Sequence, residues 1–82
     1  MEGRATALIL YQRDACHLCD QAVEVLVQAR AGEFSSVFID DDAALELAYG
    51  ERVPVLRDAL GRELAWPFDW QRLRAWLDAA VR

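Results

Sequence analysis

The sequence predicts one α/β domain spanning residues 1–82, a mixed four-stranded sheet flanked by helices in the order β-α-β-α-β-β-α. Three observations predict it. An unbroken apolar run, Thr6-Ala7-Leu8-Ile9-Leu10-Tyr11, is followed by a helical pattern and a second strand-like segment, the order expected of parallel strands joined by a right-handed crossover. The chain is 82 residues long and 55% hydrophobic, enough to bury a core without staples and too apolar for disorder. Its only two cysteines, Cys16 and Cys19, fall between the first strand and the first helix.

The first run does not alternate, which fits a strand covered on both faces. Gln12 to Ala15 reads as a short polar loop. Ala22, Val23, Leu26, Val27 and Ala29 then recur at helical spacing, and Ala31-Gly32 is a plausible stop. Ser35 to Asp40 reads as the second strand. Asp40-Asp41-Asp42 either caps a helix over Ala43 to Tyr49 or forms an acidic metal cluster; no calcium-loop glycine follows, which favours the cap. Gly50 closes that helix. Arg52 to Arg57 is strand-like, but Pro54 bars it from the interior of an ordinary ladder. Asp58-Ala59-Leu60-Gly61 carries turn chemistry, and Arg62 to Trp66 returns as an antiparallel strand. Asp69 is a good cap for a last helix whose Trp70, Leu73, Trp76, Leu77, Ala80 and Val81 share helical spacing.

Charge and composition exclude several roles. The net charge is −5, and the nine basic residues, all Arg, are scattered, so nucleic acid is not an expected partner. No apolar run is long enough to span a bilayer, and Met1 to Thr6 has none of the parts of a signal peptide. A cytoplasmic, monomeric protein is expected. In that reducing compartment a structural disulfide is out of place, and a close cysteine pair points to redox or metal work.

Cysteines at i and i+3 across a helix start lie on one side of its first turn. Cys16 would sit where free backbone N–H groups converge at the positive end of the helix dipole, which stabilises a thiolate. Cys19 would lie one turn inside, more covered. Cys16 is therefore the expected nucleophile toward a disulfide substrate and Cys19 the resolving thiol. Alternatives are two inert buried thiols, or a metal or iron–sulfur cluster shared across a dimer, since one chain cannot complete a tetrahedral site. A protonated His17 would lower the Cys16 pKa further, or His17 faces solvent without a tuning role. Asp14 and Asp20 oppose that shift, and Arg13 partly offsets them.

These residues resemble the glutaredoxin-like branch of the thioredoxin superfamily over nearly the whole chain. Cys16-His17-Leu18-Cys19 after a first strand and Val53-Pro54 before the third carry the likeness. The resemblance implies a thioredoxin-like fold and thiol–disulfide oxidoreductase activity in cell redox homeostasis, with no bound cofactor and glutathione as a candidate co-substrate. It also implies a cis peptide bond before Pro54, with Pro54 packed against the cysteines and the Val53 backbone open to an extended substrate or glutathione. Pro54 could otherwise be a trans proline at an edge. Arg13, three positions before Cys16, matches a basic residue that meets a glutathione carboxylate, and Asp69 matches an acidic position of the same groove.

The chain also departs from the family. His17-Leu18 replaces Pro-Tyr between the cysteines, and Trp66-Pro67-Phe68 stands where glycines let glutathione approach the backbone. A reshaped groove is expected. Trp66, Phe68 and Trp70 either line it or anchor the last helix in the core with Trp76 and Leu77; core is the favoured placement, with Phe68 the expected exposed member. A second functional class, a non-catalytic binding or electron-carrier module of the same fold, stays open.

Overall fold

A computed structural model describes residues 8–79. Thr6 and Ala7 of the first apolar run, and Ala80 and Val81 of the last helical pattern, lie outside the described residues. The strands are β1 (Ile9–Gln12), β2 (Ser35–Phe38), β3 (Val55–Arg57) and β4 (Glu63–Ala65). The helices are α1 (His17–Gln28), α2 (Ala43–Tyr49) and α3 (Trp70–Ala79). The elements follow the β-α-β-α-β-β-α order of a thioredoxin-like fold.

The sheet order is β2-β1-β3-β4. β1 runs parallel to β2, with Ile9 opposite Ser35, and antiparallel to β3, with Leu10 opposite Leu56. β4 closes the sheet antiparallel to β3, with Leu64 opposite Leu56. Because side chains alternate across a strand, this register sends Leu10, Leu56 and Leu64 to one face. There they meet Ala22, Leu26 and Ala29 from the α1 segment and Phe68 and Leu73 from the α3 segment. Tyr11 and Val55 go to the other face, where Ile39 and Tyr49 cover them. The apolar run of β1 is thus buried on both sides, and each fully buried Leu contributes about 1.5–3 kcal/mol.

Local signals account for the starts of α2 and α3. The Asp42 Oδ1 accepts the Leu45 N–H at 3.0 Å and caps α2. The Asp69 Oδ1 accepts the Arg72 N–H at 2.8 Å and does the same for α3. Among the described residues no three His, Cys, Asp or Glu side chains converge as a metal site. Within that range no helix is long and apolar enough to cross a membrane.

Three local expectations are corrected. α1 stops before Ala31-Gly32: Arg30 takes φ +56, its N–H reaching Val27 O at 3.1 Å while the Ala31 N–H reaches Leu26 O at 3.1 Å. This is a Schellman closure with Arg, rather than Gly, in the left-handed position. Gln12 is not loop; it ends β1, buried, and its Nε2 donates to Ser36 Oγ at 2.7 Å. The second strand, at one edge of the sheet, ends at Phe38, which is 54% exposed, and Ile39 turns into the core instead.

Candidate active site

The end of β1 delivers the chain into the cysteine motif. Asp14 donates its N–H to Asp40 Oδ2 at 3.0 Å, anchoring the loop to the segment after β2. Ala15 then adopts φ +53, a left-handed conformation that is strained for a residue with a Cβ, and Cys16 follows as the extended N-cap of α1. The Cys16 Sγ fills the role an oxygen usually plays at a cap, accepting the Cys19 N–H at 3.1 Å. The two sulfurs are at disulfide distance, with the Cα atoms 5.2 Å apart. Cys16 is half-buried and reachable, whereas Cys19 is 1% exposed. His17 is exposed, and so is Leu18 at 44%, which places an apolar side chain on the rim.

This geometry has a chemical meaning. The first-turn N–H groups and the dipole of α1 favour negative charge at Cys16 Sγ. Of the two sulfurs, that of Cys16 is the one a partner can reach from solvent, and that of Cys19 beside it is shielded.

Arg13 is placed elsewhere than the resemblance implies. Its guanidinium forks onto Glu46, at 2.7 Å to Oε2 and 2.8 Å to Oε1, and also donates to Gly50 O at 2.9 Å. The pairing raises the Arg13 pKa and lowers that of Glu46 from the usual carboxylate value. Gly50 permits this approach, since a Cβ there would lie 2.9 Å from Glu46 Oε1 and 3.4 Å from the Arg13 guanidinium. Arg13 therefore ties the cysteine loop to the end of α2 instead of presenting a free cation to a ligand.

The Val53–Pro54 peptide bond is cis and Pro54 is fully buried. The backbone of Val53 is not fully open: its N–H donates to Tyr49 O at 3.0 Å. The backbone donor at this position is therefore already engaged within the fold. The Trp66–Pro67 peptide bond is also cis, a feature that the sequence does not predict. Asp69 spends its carboxylate on capping α3.

The core placement favoured for the aromatic cluster holds for Phe68, with Trp66, Trp76 and Leu77 packed against it, and only its exposed member is corrected. Phe68, expected outside, is 5% exposed and meets Trp66 edge-on at 5.0 Å, while Trp70 at the start of α3 is 47% exposed. The cap at Asp69 sets the phase of α3: Leu73 falls inward, and Trp70 turns toward solvent. Trp66 is half-buried and walls an open groove of about 580 Å³ that runs along α1 from His17 past Asp20, Gln21 and Glu24 to Gln28.

Sequence reasoning missed Glu46 as the partner of Arg13, because 33 residues separate them. It also missed a cluster behind the Val53–Pro54 segment, where Tyr49 stacks on Tyr11 at 4.2 Å and donates to Glu63 Oε2 at 2.7 Å. Burial, then Glu63, pushes the Tyr49 phenol up to about 12.

Comparison with known proteins agrees with this architecture. The model of the glutaredoxin-like domain family (DUF836) matches residues 7–78. The crystal structure of the structural-genomics target protein XcR50 from X. campestris is 82% identical, covering 89% of this chain and 97% of its own, with a TM-score of 0.88. A solution structure of that target superposes with a TM-score of 0.85 at the same identity, covering 89% of this chain and 94% of its own. The solution structure of Ne2328 from Nitrosomonas europaea is 29% identical, covers 93% of this chain and 98% of its own, and has a TM-score of 0.71. No curated protein matches the sequence. The chain belongs to the glutaredoxin-like domain family (DUF836).

Proposed function

We propose that the protein is a cytoplasmic thiol–disulfide oxidoreductase working through both cysteines. The observation that carries this is Cys16 Sγ at the N-cap of α1, accepting the Cys19 N–H at 3.1 Å, with the buried Cys19 sulfur at disulfide distance. In the reduced protein the Cys16 thiolate attacks one sulfur of a substrate disulfide, breaking that S–S bond and expelling the first thiolate. A mixed disulfide on Cys16 results. Cys19, deprotonated, attacks Cys16 Sγ, expels the second thiolate and closes the Cys16–Cys19 disulfide. Two protein thiols are oxidised, one disulfide is reduced, and the two protons end on the released thiols. His17, exposed beside the nucleophile, tunes Cys16 rather than moving protons itself. Mass spectrometry of the reduced protein with a small disulfide tests this. Wild type should proceed to the internal disulfide, and Cys19→Ser should stop at a stable adduct on Cys16. Adducts forming on Cys19 at the same rate as on Cys16 would sink the assignment.

A further inference from the structure

Resting on the exchange chemistry proposed above, we infer that the Cys16–Cys19 pair selects cationic disulfides and disfavours anionic ones such as oxidised glutathione, the groove along α1 holding the positive group of the substrate. The groove begins at His17, beside the nucleophile, and passes Asp20 and Glu24. These two exposed carboxylates are one turn apart on the same helix face, where like charges repel and a cation between them relieves the repulsion. Among the described residues neither has an ion-pair partner. Trp66 forms the facing wall, and an indole ring beside carboxylates is a good surround for an ammonium or guanidinium group. Gln21 and Gln28 add neutral hydrogen-bonding groups, so His17, at the sulfur end, is the one lining group able to carry positive charge against the two carboxylates.

The same structure withdraws what an anionic ligand would need. Arg13, the basic residue nearest the motif in sequence, has its guanidinium committed to Glu46 and the Gly50 carbonyl. The Val53 N–H, a natural donor to a peptide-like ligand, is committed to Tyr49 O. The whole chain carries a net charge of −5, so its long-range field acts in the same direction as the groove.

The test follows the reduced protein with three disulfides: cystamine, which is dicationic, neutral bis(2-hydroxyethyl) disulfide, and anionic oxidised glutathione. Each rate is divided by that of dithiothreitol with the same disulfide, which removes differences in leaving-group reactivity. The normalised rates should fall in that order. Two nearby carboxylates in high dielectric predict a cystamine-to-glutathione-disulfide ratio of about tenfold at low salt, shrinking severalfold at high ionic strength. The paired substitutions Asp20→Asn and Glu24→Gln should remove most of the ratio while the neutral disulfide still reacts. Any change they make in Cys16 acidity acts on all three rates and cancels. Equal normalised rates for the three disulfides, or a ratio kept in the double variant, overturn the selectivity and leave exchange standing. No reaction with any of the three overturns the exchange chemistry, and the selectivity with it.

Discussion

The backbone N–H of Cys19 donates to the Sγ of Cys16 at 3.1 Å, so a main-chain group of the helix's first turn is capped by the Cys16 sulfur. The donor is a main-chain group and survives substitution of the Cys19 side chain. In Cys19→Ser, Cys16 should alkylate at neutral pH at least about tenfold faster than an unperturbed thiol, whereas Cys19 in Cys16→Ser should be slow because it is buried. Iodoacetamide kinetics across pH check both, and similar rates at the two positions would count against the division of roles.

The Arg13–Glu46 fork should stabilise the fold in a pH-dependent way. The Glu46 pKa is lowered by its hydrogen bonds with Arg13, so its contribution is complete above the ordinary carboxylate range and is lost as pH falls through the lowered value. Thermal melts of wild type and Glu46→Gln should differ at neutral pH and converge in acid. A gap that persists at the acid end would show that the charge pair is not its source.

Tyr49 makes the opposite prediction at alkaline pH. Its phenol is held neutral by burial and by Glu63, so stability from the 2.7 Å bond is fully present below the ordinary value of 10.0 and is lost as pH rises through about 12. Ultraviolet titration of the folded protein should show this delayed ionisation. Tyr49→Phe should cost about 1.5–3 kcal/mol in denaturant melts near neutrality, the usual loss for a hydrogen bond to a charged group. Phe keeps the stacking on Tyr11, so a much larger loss would indicate a packing effect instead.

Arg30 offers a stabilising change. Its φ of +56 closes α1 in a conformation that costs an L side chain but not glycine. Arg30→Gly should raise stability by about 0.5–1 kcal/mol, read from urea midpoints at an unchanged m-value. Its carbonyl, which accepts a weak 3.4 Å contact from Arg74, is retained in the variant. A destabilised Arg30→Gly protein would mean that the guanidinium makes a contribution larger than the backbone strain.

Whatever depends on near neighbours along the chain is legible in the amino-acid order. The non-alternating run ending at Tyr11, the helical spacing of Ala22, Leu26 and Ala29, and the caps at Asp42 and Asp69 are all local, reaching no more than about one helical turn at a time. So is the placement of Cys16 and Cys19 on one turn, since i and i+3 converge in any helix. The Schellman closure at Arg30 escaped because Gly32, the obvious stop residue, lies two positions further on. What surrounds the two sulfurs depends instead on how distant segments pack. Arg13 meets Glu46 and the Val53 N–H meets Tyr49 because α2 covers one face of the sheet beside the cysteine loop, a proximity with no signature in spacing. The exchange of Phe68 and Trp70 has the same origin. Both are apolar, and which one is buried depends on where Asp69 starts α3 and which side of that helix meets Leu56 and Leu64. Burial is a property of the packed whole, and a groove defined by α1 and Trp66 exists only once the segments on its two sides are brought together.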